Sequence, residues 1–433
     1  MSKFLIGGAS ASHQIEGNNF RNNWWEWEIK RGIERSGVAC NSWNEYKRDI
    51  DCIKNLGCNA YRFSLEWSRI FLDEFRIDKN ALARYKDMVL YCRENGIEPI
   101  VTLHHFTRPM WFDRKYGGLH SKHTMRLFQP YVKLVVKEFG KHVKYWTTFN
   151  EPMMECVNGY LRGERPPGLK GDFGSMFLAL ENILDCHCLA YDIIKMENPD
   201  AMVGIAKNLA DFEKQYSYDL LKSKLEDEIA KNYNFGLLDA LTRGRFKFGL
   251  SLIDFGKLGS IGSKKKVVNK WWKGKLDFIG INHYNVAYVD ITYRVYDQVD
   301  VKLAKPDSGL MKNCMDWDIK PESMGNIIDM LRKRYGNIPL MVTESGNCEE
   351  NEVDWDRMNA VMDSHTKDVL ERSKTDKNIL GYLWWTCPFS NWEWEDGYKP
   401  KFGLYYMENG VPVLKSAGKK YREIAKKILG GNM

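Results

Sequence analysis

The chain lacks the features that would tie it to a membrane, a zinc ion or a dinucleotide. Among its 433 residues no apolar run is long enough to span a bilayer. The opening "MSKFLIGGASAS" holds only Phe4 to Ile6 before glycines begin, too short for the apolar core of a signal peptide. Ten cysteines are scattered without one C-x-x-C pair, which argues against a structural zinc site. Cys186 and Cys188 form a C-x-C on an expected helix, where packing is the commoner role. Free cysteines suit a reducing compartment, so a cytoplasmic protein is expected. No Pro/Gly/Ser-rich linker divides the chain, and no low-complexity segment interrupts it. Charge of one sign is scarce: 57 acidic residues offset 64 basic ones to leave +7. Composition therefore calls for no nucleic-acid partner, and no membrane partner is expected. Nothing in the sequence fixes an oligomeric state.

What is present is ordinary for a soluble globular protein: 44% hydrophobic and 28% charged residues, enough to bury a large core. A short apolar run followed by a helical stretch recurs along the chain. The strand candidates are residues 4–10, 58–67, 97–105, 143–151, 201–208, 275–284, 338–345 and 378–386. Gly57, Gly96 and Gly336 stand at expected helix ends immediately before strands. The strands are near-continuous apolar runs, as for parallel strands covered on both faces. Eight such units predict an α/β fold, a single (β/α)8 barrel domain over residues 1–433, with its chemistry at the C-terminal ends of the strands. A two-domain doubly wound protein is the alternative, but no G-x-G-x-x-G follows the first strand. "GSIGSKKK" (259–266) reads as a surface loop. The basic "SKKKVVNKWWKGK" (263–275) could be a nucleic-acid patch but reads better as a solvated helix, its tryptophans facing the barrel. "LKSAGKKYREIAKKIL" (414–429) reads as an amphipathic closing helix.

The strand ends carry an unusual set of polar residues. They are Gln14 and Glu16, Arg62 and Glu66, His104 and His105, Asn150 and Glu151, Asn282 to Tyr284, Glu344, and Trp384 and Trp385 followed by "NWEWEDGY" (391–398). Each has a plainer explanation. Glu151 could cap a helix, Glu344 could pair with Arg62, and the histidines could be satisfied core groups. His104 and His105 are adjacent on a strand and point to opposite faces, so they cannot chelate one ion together. Their joint placement on one rim favours a pocket for a polar molecule with apolar faces. A sugar is such a molecule, with hydroxyls to pair and a C–H face to lay on indole.

Two carboxyl groups can cleave a glycosidic bond. One protonates the leaving oxygen and the other stabilises the oxocarbenium-like carbon. At about 5 Å apart the second attacks directly and configuration is retained; at roughly 6.5–9.5 Å water fits between and it inverts. Strands four and seven of such a barrel lie across its mouth. Glu344 would have to be ionised, helped by Arg62 and a Tyr284 hydrogen bond. Glu151 would have to start protonated, which the charge on Glu344 favours, and would then serve as base once that charge is gone.

These residues also stand in recognisable motifs. "FLIGGASASHQIEG" (4–17), "YRFSLEWSRI" (61–70), "TLHHFTRPMW" (102–111), "TFNEP" (148–152), "DFIGINHY" (277–284), "VTESG" (342–346) and "NWEWEDGY" (391–398) follow one another over nearly the whole chain. In this the chain resembles glycoside hydrolase family 1, the retaining β-glucosidases and β-galactosidases. The resemblance implies Glu151 as acid/base and Glu344 as nucleophile, with Arg62 and Tyr284 positioning Glu344. It implies Asn150 at the sugar 2-hydroxyl, Asn282 lining the site, and Gln14, His105, Glu393 and Trp394 on the other hydroxyls. Trp385 would be the platform under the ring. It implies no cofactor and no metal, and a small β-glycoside as substrate. Phospho-specific members carry Ser in place of Glu393, so an unphosphorylated sugar is expected. Departures are Ser345 for a common Asn, His283 for a common Tyr, Ser390 for Asp, and one extra residue between Trp385 and Glu393. Other readings left open are transfer to an alcohol through the same intermediate, a non-catalytic sugar-binding barrel and a metal-dependent barrel hydrolase.

Overall fold

The computed structural model describes residues 4–215, 218–248, 265–294, 298–304, 307–351 and 356–430. Eight parallel strands close into a barrel: β1 (Leu5–Ala9), β2 (Ala60–Ser64), β3 (Glu98–His104), β4 (Tyr145–Asn150), β5 (Met202–Asn208), β6 (Phe278–Asn282), β7 (Leu340–Ser345) and β8 (Ile379–Trp385). Each pairs with its neighbours in sequence, and β8 pairs with β1 through Leu5 opposite Gly381 to Ala9 opposite Trp385, so the sheet has no edge. This is the (β/α)8 barrel that the alternation predicts, and every strand falls inside its expected run.

The apolar runs are explained by the two layers they serve. Leu5, Ala60, Ile100, Tyr145, Phe278 and Met341 fill the barrel interior. Their successors Ile6, Tyr61, Val101, Trp146, Ile279 and Val342 pack outward against the helices. A strand buried on both faces has no polar alternation to show. The helices Ser42–Asn55 and Lys79–Glu94 stop where Gly57 and Gly96 take left-handed backbone at φ 71°, turning the chain straight into β2 and β3. The helix Ser416–Leu429 closes the fold, and the Tyr421 hydroxyl donates to the Gly7 carbonyl of β1 at 2.6 Å.

One expected element differs. The stretch expected as a helix over 263–275 is described from position 265, and there it is not a helix: Lys265–Val268 is a strand paired antiparallel with Arg245–Phe248, followed by one 3-10 turn, Lys270–Trp272. Trp272 is buried with its indole N–H on Asp185, whereas Trp271 is partly exposed with its N–H on Asp192. Two lysines and two valines whose burial alternates along the strand, with a two-tryptophan turn after them, suit a short half-exposed hairpin. The loop expected over 259–266 lies outside the described residues up to position 264.

Candidate active site

The polar residues converge above the C-terminal ends of β1 to β8, and Glu344 sits at their centre. It stands one residue before the end of β7, with its Cα paired to that of Asn282 on β6. Arg62, fully buried on β2, donates from Nη1 to Glu344 Oε1 at 2.5 Å, and the Tyr284 hydroxyl donates to Oε2 at 2.6 Å. Arg62 is itself fixed by Nε on Thr102 Oγ1 at 3.0 Å and Nη2 on Asn150 Oδ1 at 2.8 Å. The expectation that Arg62 sets the acidity of this carboxyl needs correcting. Burial outweighs it and pushes Glu344 up to about 7, against the opposing pull of Arg62 and Tyr284, with Glu151 adding to the rise. Gly346 lets β7 and β8 close together here, since a Cβ at that position would lie 1.9 Å from the Trp385 carbonyl oxygen.

A chain of side-chain amides joins Glu344 to Glu151. Asn150 Oδ1 accepts from Arg62 and, at 3.0 Å, from Asn282 Nδ2. Asn282 Nδ2 also donates to Glu151 Oε1 at 2.9 Å, while its Oδ1 accepts from Thr343 Oγ1 at 2.7 Å. With Asn150 Oδ1 taken by two donors, its Nδ2 faces His105 Nε2 at 3.0 Å as a donor. The proton of the neutral imidazole then belongs on Nδ1, which has no partner among the described residues. Burial, with Arg62 adding, holds His105 well below its ordinary range, so the ring is neutral. Glu151 has left-handed backbone (φ 43°) and precedes the helix Pro152–Cys156, yet its side chain makes no capping bond. The plain explanation of Glu151 as a helix cap therefore fails.

The remaining expected residues form one wall. Trp385 lies parallel to His105 with ring centres 5.7 Å apart. Gln14 Nε2 donates to the Trp392 carbonyl at 2.8 Å and to Glu393 Oε2 at 3.1 Å, leaving its own buried Oε1 without a partner among the described residues. Asn391 Nδ2 also donates to Glu393 Oε2, at 3.1 Å. Trp394 is clamped by Trp24 at 4.6 Å and Phe106 at 5.1 Å. Unpaired buried polar atoms are uncommon in folded proteins, and at the rim of a pocket they can be paired by a ligand. Burial pushes Glu393 up to about 8 against the Asn391 hydrogen bond and the Arg165 charge. In the unfolded chain the same carboxyl titrates at its ordinary value, so the proton favours folding at low pH and that stability is lost as pH rises through about 8. Glu393→Gln removes this loss. Its melting temperature relative to wild type is expected to climb by a few degrees between about pH 5 and about pH 9; a difference independent of pH would contradict it.

Other strand-end residues serve the scaffold. Glu16 pairs with Arg69 at 2.6 Å and accepts from Tyr85 at 2.7 Å. Glu66 takes hydrogen bonds from Ser12, Asn22, Ser68 and Thr107. His104 turns away to Glu155 at 2.8 Å, as the pleat requires, and His283 binds the Leu209 carbonyl and Ser323. Trp384 faces outward onto Tyr421. Sequence reasoning missed Trp24, Phe106, Arg165 and Trp317. Arg165 pairs with Glu395 at 2.6 Å and lies over the Phe106 ring at 4.9 Å. It borders a surface cavity of 410 Å³ that Trp27, Ile33 and Asn158 also line. Its only signal in the sequence was a charge within the Gly/Pro-rich "GERPPG" (163–168) after β4.

A barrel with paired glutamates bridged by amides and flanked by indole rings is the frame of a glycoside hydrolase, and comparison with known proteins agrees. The model of Glycosyl hydrolase family 1 matches residues 1–428, and the chain belongs to that family. It is 31% identical to a beta-glycosidase from Pyrococcus horikoshii, with a TM-score of 0.84 over 98% of this chain and 94% of that one. It is 26% identical to the beta-glucosidase from Thermotoga maritima solved in complex with deoxynojirimycin, with a TM-score of 0.85 and 98% of each chain covered. Among curated relatives, Beta-glucosidase 4 of Oryza sativa subsp. japonica is 29% identical over 94% of this chain and 91% of its own. The chain is a glycoside hydrolase of the β-glycosidase class.

Proposed function

We propose that the protein releases the terminal non-reducing β-D-glucosyl, galactosyl or fucosyl residue of small glycosides with retention, Glu344 attacking and Glu151 acting as acid and then base. The reading rests on one observation. Glu344 is held between Arg62 and Tyr284, and the Asn150–Asn282 amide pair carries the same network to Glu151. In the first step Glu151 gives its proton to the glycosidic oxygen while Glu344 bonds to the anomeric carbon and the alcohol leaves. In the second, Glu151 takes a proton from water, which attacks the same carbon and frees Glu344. Asn150, locked on both sides, offers fixed geometry to the 2-hydroxyl. The unpartnered Gln14 Oε1 and His105 Nδ1–H suit the outer hydroxyls, and Trp385 suits the C–H face. Glu393 offers a sugar phosphate no cation, and when ionised it would repel one, which supports a neutral sugar. The alcohol portion would sit on the side of Trp27 and Arg165. Aryl β-glucoside, β-galactoside and β-fucoside test the glycone, with the first-formed sugar anomer followed by proton NMR. Release of the β anomer is expected, and release of the α anomer would overturn the assignment.

The acidity of Glu344 gives the rate a pH dependence. Only the ionised carboxylate attacks, so kcat/KM is expected to fall about tenfold per unit below pH ~7. Arg62→Gln removes the charge that favours ionisation and should move this limb upward by about 1–3 units. An acid limb that stays in place in the variant would contradict the role given to Arg62.

A further inference from the structure

The thiols of Cys314 and Cys348 lie 2.9 Å apart, sulfur to sulfur, beside the nucleophile-bearing strand. Cys348 is four residues beyond Glu344 and is fully buried; Cys314 is partly exposed. The segments that carry them are already docked. Met311–Lys312 and Asp318–Ile319 form a two-stranded hairpin. Its tip is shaped by Asn313 Oδ1, which accepts from the backbone N–H groups of Met315 and Trp317 at 2.9 and 3.0 Å. Asn313 Nδ2 then donates to Asn347 Oδ1 at 2.8 Å, tying the tip to the loop after β7 immediately before Cys348. Trp317 on the same tip packs on Tyr284 with ring centres 5.6 Å apart, and Tyr284 is the hydroxyl donor to Glu344.

We propose that Cys314 and Cys348 are a reversible modification site that forms a disulfide with a low-mass disulfide such as oxidised glutathione, fastening the hairpin tip to the end of β7. Closing from 2.9 Å to a covalent bond takes a movement of about 1 Å. The hydrogen bond from Cys348 lowers the Cys314 thiol below its ordinary value, while burial raises Cys348. Glu349, Glu350 and Lys399 are the charged groups that face Cys314. Cys314 is thus the exposed attacking sulfur and Cys348 the resolving one. The Cys314 thiolate bonds to one sulfur of the reagent and expels the first thiolate. Cys348 loses its proton, bonds to the Cys314 sulfur and expels the second. The two cysteines lose two protons and two electrons, and the reagent disulfide gains both electrons. The bond joins cysteines 34 positions apart in the chain, which restricts the unfolded chain.

The test uses the full-length enzyme incubated with oxidised glutathione, and its mass and melting readouts do not depend on the proposed catalytic roles. Expected are an intact-mass loss of two hydrogens, a single cross-linked peptide joining Cys314 and Cys348, and a melting temperature several degrees higher. Dithiothreitol should reverse all three, and neither Cys314→Ser nor Cys348→Ala should show them. Cys314→Ser lies at the partly exposed partner and serves as the control if Cys348→Ala folds poorly. A stable glutathione adduct, a cross-link between other cysteines, or an unchanged mass would overturn the proposal.

Discussion

Replacing Glu344 with glycine is expected to lower kcat on aryl β-glucosides by roughly 10⁴-fold or more, about 5.5 kcal/mol of transition-state stabilisation. Among the described residues the other carboxyls of the site are differently placed: Glu393 is tied to Gln14 and Asn391, and Glu151 sits at the far end of the amide bridge. The glycine leaves room for a small anion where the side chain stood. Azide should restore turnover and give the α-glycosyl azide, since it enters from the face that Glu344 occupied. The substitution also strips the buried Arg62 of its partner, which costs stability by about 3–5 kcal/mol. Glu344→Gln, which keeps a polar acceptor beside Arg62, separates the two effects: it should fold better and remain inactive. A glycine variant that kept full activity would remove the nucleophile from this account.

Glu151→Ala should behave differently, because the two jobs proposed for Glu151 fall in two steps. Loss of the proton donor is expected to slow cleavage by about 10²–10⁴-fold when the leaving alcohol is a poor one. A dinitrophenolate departs without a proton, so formation of the intermediate should survive and its breakdown become limiting. Azide needs no general base and should rescue that second step, giving the β-glycosyl azide. Opposite anomers from the two variants would fix which glutamate stands on which face. Asn282 loses an acceptor in Glu151→Ala, so Glu151→Gln is the control that keeps the amide chain in place. Equal slowing of intermediate formation for good and poor leaving groups would contradict the acid role.

The barrel was legible because parallel strands buried on both faces leave continuous apolar runs, and Gly57 and Gly96 marked the helix ends before β2 and β3. His104 and His105 could be sorted in advance, since the pleat sends adjacent side chains to opposite faces, and the structure places them on Glu155 and Asn150. The 263–275 stretch was misread because a short half-exposed hairpin and a basic helix have similar compositions. The acidity of Glu344 was misjudged for a physical reason: Arg62 is visible in the motif, whereas the depth of burial that outweighs it depends on the whole rim. The wall of Trp24, Phe106 and Arg165 comes from the helix Asn23–Arg31 and two loops far apart in the chain, and no periodicity links them. Glu16 and Glu66 share the strand ends with the site residues, and only their partners reveal that they brace the scaffold.

The central claim is that Glu344 bonds to the sugar. The most direct test is to incubate the enzyme with an activated 2-deoxy-2-fluoro-β-glucoside, which slows the second step more than the first, and to locate the label by peptide mass spectrometry. The account predicts one fluoroglucosyl group per chain, on the peptide carrying Glu344, with turnover lost in step with labelling. A label on Glu151 or Glu393, or steady turnover of the enzyme with no label on any carboxylate, would contradict it.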